Sequence, residues 1–174
     1  MITFPDGVPE GAMVDDDRPL EKRYRSAVAG LTRRIRLLYD GVREHFGDAG
    51  LDAIRATSRA YGEEIAERAA PMVTRDDIPS IGSFVIRVFN TIGGEGEVTE
   101  FSKERIVVRV HRCPYLFQET AMCRAHTEME KALVESLGDH VAYRIACSVP
   151  EGDPYCDHVI ERTDTKPAQE PEPD

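Results

Sequence analysis

Residues 97–110 read EVTEFSKERIVVRV, and the change of texture they bring decides the fold. Glu97 to Phe101 alternates, Ser102-Lys103-Glu104 is turn-like, and Arg105 to Val110 is rich in β-branched residues, so the stretch predicts a β-hairpin. Downstream, Cys113-Pro114 closes the second strand, and Tyr115 to Leu137 predicts a helix with Gly138 as its C-cap. Val141 to Val149 then predicts a strand, residues 150–154 a Pro/Gly turn, and Tyr155 to Arg162 an antiparallel return. Upstream the period is helical instead. Tyr24, Val28, Leu31, Ile35, Leu38, Val42 and Phe46 recur at steps of three and four, giving a helix from Leu20 to Phe46 that Gly47 ends. A second helix runs from Gly50 to Ala69, stopped by Pro71, and a third from Ile78 to Ile92, stopped by Gly93-Gly94. The expected class is α+β: three N-terminal helices on an antiparallel sheet of four or more strands, with one further helix between the two hairpins.

The ends differ from this body. Residues 1–17 carry Pro5, Pro9, two glycines and Asp15-Asp16-Asp17, and residues 163–174 carry prolines and acids. A flexible arm, a single domain over 18–162 and a disordered acidic tail are expected. Acids outnumber bases 32 to 22 and the net charge is −10, so a phosphate backbone is not the expected partner. Arg33, Arg34 and Arg36 interleave with Leu31, Ile35, Leu37 and Leu38, which predicts the solvated face of an amphipathic helix. No secretory h-region and no membrane-length apolar run are present, so a cytoplasmic location is expected. In a reducing compartment, four cysteines read as thiols, metal ligands or catalytic groups before disulfides.

The chemistry-bearing residues gather around these cysteines. Cys113 lies where a strand gives way to the next helix, whose positive end favours a thiolate, and His111 shares its strand face as a candidate base. Glu119, Cys123 and His126 are spaced to stack on one face of that helix. Cys147 and Cys156 lie on the two arms of the last hairpin. Thiolate, imidazole and carboxylate from three elements are a donor set for zinc, and four cysteines would also serve an iron–sulfur cluster, the less expected group. The spacing contains no Cys-x-x-Cys, and free cysteines also serve as small buried hydrophobes. Cys147, within Ile145-Ala146-Cys147, fits that packed role best.

The run His111–Ile160, HRCPYLFQETAMCRAHTEMEKALVESLGDHVAYRIACSVPEGDPYCDHVI, resembles the L-2-amino-thiazoline-4-carboxylic acid hydrolase-like family. The resemblance rests on Arg112-Cys113-Pro114, Cys123, Cys147, and Gly152-Asp153 ahead of Cys156, with weaker likeness in residues 61–66 and 95–104. It spans roughly residues 50–162. It implies a small α+β domain and, for the named member, hydrolytic opening of a thiazoline ring. The closing hairpin also resembles the 4-vinyl reductase domain, a small-molecule-binding module able to hold zinc. Two functions are therefore expected. One is a hydrolase opening a thiazoline-type C–N or C–S bond, using Cys113 or a metal-bound water as nucleophile and Glu119, His126 or His111 for protons. The other is a binding or sensing module in which Cys113, Cys123, Cys147 and Cys156 hold a structural metal. The partner is a small molecule, with a second copy of the chain as a further option.

Overall fold

The computed structural model describes residues 18–164. The expected arm and tail lie outside those residues, apart from positions 163 and 164 at the start of the tail. Within them the order is α1 (Leu20–Ala69), a short 3-10 turn, α2 (Ile78–Thr91), β1 (Glu95–Phe101), β2 (Arg105–Arg112), α3 (Thr120–Ser136), β3 (Val141–Cys147), a second 3-10 turn, and β4 (Cys156–Arg162). The α+β expectation holds, with four antiparallel strands in the order β1-β2-β4-β3.

The two helices expected on either side of Gly47 are two arms of α1. Gly47 takes φ 60° and ψ −134°, a conformation closed to residues with a Cβ, and it breaks the run into residues 20–46 and 48–69. The chain bends sharply there: a Cβ on Gly50 would stand 2.7 Å from the Val42 carbonyl oxygen. The second arm lies so close to α3 that a Cβ on Gly62 would come within 2.2 Å of the Met129 carbonyl oxygen.

α2 starts where the Asp77 side chain accepts a hydrogen bond from the Ser80 backbone N–H at 2.9 Å, a cap worth about 1 kcal/mol. Its Ile78, Ile81 and Val85 pack against Ile106, Val108 and Val110 of β2 and Ile160 of β4, so one sheet face carries the main core. Burying an isoleucine of this kind contributes roughly 2 kcal/mol. The other sheet face carries Arg109 and Asp157, joined through two hydrogen bonds of 2.9 Å. Among the described residues, no helix is long and apolar enough to cross a membrane.

Two departures from the sequence reading shape the site. First, α3 begins at Thr120, not Tyr115. Tyr115 and Phe117 both turn inward and stack with centroids 5.5 Å apart, and residues two apart cannot share a helix face. An irregular segment buries both, at the cost of a left-handed Leu116 (φ 55°). Second, β3 slips register between Ile145 and Cys147: Ile145 pairs with His158, yet Cys147 pairs with Asp157. This bulge at Ala146 turns Cys147 to the charged face of the sheet.

Candidate functional site

A cavity of about 150 Å³ lies between α3, the inner face of the sheet and residues 112–117. Its wall is mostly apolar, with Cys113, Cys123, Cys156, His126, Glu130 and His158 as the chemically distinctive members. The structure thus brings three of the four cysteines and His126 to one place. Helical spacing accounts for part of this: Cys123, His126 and Glu130 follow one another down one face of α3.

His126 is the centre of the arrangement. Its ring sits 4.2 Å from the Tyr115 centroid and 5.1 Å from that of Phe117. Burial lowers its pKa from 6.5 to about 4, so the imidazole is neutral at pH 7. A neutral imidazole carries one N–H donor and one acceptor lone pair, yet neither Nδ1 nor Nε2 has a hydrogen-bond partner. Glu130, one turn later, is also buried, with Oε2 unpartnered and its pKa pushed up from 4.5 to about 7 by burial. Across the cavity, His158 bonds through Nδ1 to the Tyr143 hydroxyl at 2.5 Å, and burial holds its pKa at about 4.

The cysteines are thiols here. Burial raises the pKa of Cys123 to about 12 and that of Cys156 above its ordinary value. For Cys113, burial outweighs the opposing hydrogen bonds from the backbone N–H groups of Tyr115 and Leu116. The expected help from a helix end is missing, because α3 starts seven residues further on and macrodipoles act only within about one turn.

Other expected site residues do not turn their side chains to this group, although His111 borders the cavity. Glu119 occupies the N-cap position of α3 and not its inner face; its carboxylate is 63% exposed and 3.9 Å from Arg43. His111 turns its imidazole to Glu97, 3.4 Å away, and to the Tyr155 ring, leaving Cys113 without that base. Cys147 is not the packed thiol expected of it: it is half-buried, bonds to the Tyr155 carbonyl oxygen at 3.8 Å and contacts the Asp157 carboxylate. The four-cysteine ligand set is therefore not assembled. Among the described residues, no three His, Cys, Asp or Glu side chains are grouped to hold a metal ion.

Glu130 is the residue that sequence reasoning missed. Its signal was present: a carboxylate at i+4 from His126, inside the apolar stripe of Met122, Leu133 and Leu137. No family model matches the sequence, and no curated protein matches it either.

Proposed function

We propose that this domain is a small-molecule-binding module whose ligand occupies the cavity beneath residues 112–117. One observation carries the reading: both nitrogens of His126 and Oε2 of Glu130 are buried and unpartnered in a largely apolar cavity. Leaving such a group unpaired costs about 1–3 kcal/mol, and a ligand that offers a donor and an acceptor recovers it. A space near 150 Å³ accepts a ring about the size of benzene. Phenol, a ring with one hydroxyl, is therefore a suitable probe. It is expected to raise the melting temperature of the full chain, and His126→Phe, which removes both nitrogens while keeping an aromatic ring of similar size, to reduce the rise. No shift in the parent, or the same shift in both proteins, overturns the reading.

A hydrolase has one observation in its favour. Glu130, with a pKa of about 7, is poised as an acid–base group at neutral pH beside a neutral imidazole. In opening a thiazoline-type C–N or C–S bond, protonated Glu130 would donate to the leaving atom while His126 accepts a proton from the attacking water. Turnover of 2-aminothiazoline-4-carboxylate that is lost in Glu130→Gln supports this reading. No turnover by the parent overturns it.

A further inference from the structure

We propose that the ligand is an aromatic phosphomonoester, its ring in the inner cavity and its phosphate in an arginine-lined groove outside; this rests on the small-molecule-binding reading above. The groove, about 830 Å³, lies between the first arm of α1 and the corner joining α2 to β1. It shares residues 112–116 with the cavity as a common wall, together with Ile92 and Gly94. The proposed ligand extends from the groove to the interior along that wall. The arm is fastened over the groove by the Tyr24 hydroxyl, which donates to the Thr91 carbonyl oxygen.

Charge selects the ligand. The groove is lined by Arg25, Arg33, Arg36 and Arg112 against only Glu21 and Glu95, a local excess of two positive charges in a chain of net charge −10. Arg25 pairs with Glu21 at 2.8 Å and Arg112 with Glu95 at 3.7 Å. Among the described residues, Arg33 and Arg36 pair with no carboxylate, and the Arg36 Nε is buried without a hydrogen-bond partner. Arg33 is exposed, as expected of a solvated face, and Arg36 is half-buried; both line this groove. A guanidinium fork matches phosphate oxygens in bidentate geometry. A phosphomonoester carries about −1.5 to −2 charges at pH 7, close to the local excess, whereas a carboxylate neutralises only one.

The test is calorimetric titration of the full chain with 4-hydroxyphenyl phosphate, whose hydroxyl can reach His126 and Glu130 while its phosphate stays in the groove, and with phenol, inorganic phosphate and benzoate. The hydroxyphenyl phosphate is expected to bind at least about tenfold more tightly than each of the other three, with an affinity that falls as salt rises. Arg33→Gln and Arg36→Gln are each expected to weaken it at least about fivefold and to leave phenol unchanged. Arg33 is exposed, so its replacement spares the fold. Equal affinity for phenol and the hydroxyphenyl phosphate, or arginine variants that bind the phosphate ester as the parent does, overturns the inference and leaves the cavity reading intact. Inorganic phosphate binding as tightly shows the groove acting apart from the cavity, and benzoate binding as tightly shows the wrong anion class; either overturns it. If phenol fails to bind as well, the cavity reading falls with it.

Discussion

Glu130 and His126 stand one helical turn apart, and burial acts on them in opposite senses. Glu130 in the native state holds a proton up to a pH of about 7, against an ordinary value of 4.5. Across that window the unfolded chain has lost the proton and the native chain has not, so the Glu130 contribution falls as pH rises. For His126 and His158, with native values of about 4 against 6.5, the unfolded chain binds protons that the native chain refuses, and stability rises with pH from about 4 to 6.5. Glu130→Gln removes only the falling contribution. Its stability relative to the parent is expected to grow between pH 5 and pH 8, by on the order of 3 kcal/mol. Urea denaturation at the two pH values checks this. An equal difference at both would mean that Glu130 ionises as it does in water.

Elements in this fold are placed by close backbone approach as much as by side-chain packing, and the two helical glycines of contrasting surroundings separate these effects. Gly41 has nothing near it, so Gly41→Ala should gain about 0.5–1 kcal/mol from helix propensity alone. Gly62→Ala gains the same propensity but drives a methyl into the Met129 carbonyl, so a net loss of about 2 kcal/mol is expected. Thermal unfolding of the two variants should move in opposite directions. A matching rise in both would contradict the contact between α1 and α3. The elements themselves were legible in the sequence because their signals are local: a Gly at the elbow of α1, alternation in β1, β-branched residues in β2. The start of α3 was not legible, since Tyr115 and Phe117 turn inward only because α1 supplies Tyr39 to stack on, at 6.0 Å from Phe117. Nor was the bulge at Ala146, which depends on how β3 meets β4 and not on β3 alone. Those two departures moved Glu119 and Cys147 out of the candidate site; the three cysteines and His126 that do meet were legible because each lies on a regular element or at its end.

At the scale of the whole molecule the sheet is a partition. On one side lie the helices, the core and the cavity; on the other lie charged pairs such as Arg109 with Asp157 and Arg144 with Glu161, the latter at 2.8 Å. The cysteines are divided by this partition, three facing inward and Cys147 outward. Alkylation rates depend on thiolate fraction and on access, and every one of the four has its pKa raised. Iodoacetamide at pH 8 should therefore modify the native protein more slowly than a free thiol. Within that slow regime Cys123 and Cys156, both buried, should react only when the protein unfolds, whereas Cys113 and Cys147 are half-buried and should react first. A ligand in the cavity distinguishes the remaining two. Saturating phenol should protect Cys113, whose residue forms part of the cavity wall, and leave the rate at Cys147 unchanged, because the sheet stands between that thiol and the ligand. Peptide mapping of the alkylated protein reads all four sites at once. Protection of Cys147 to the same degree as Cys113 would mean that the ligand acts by tightening the whole fold and not by filling the cavity.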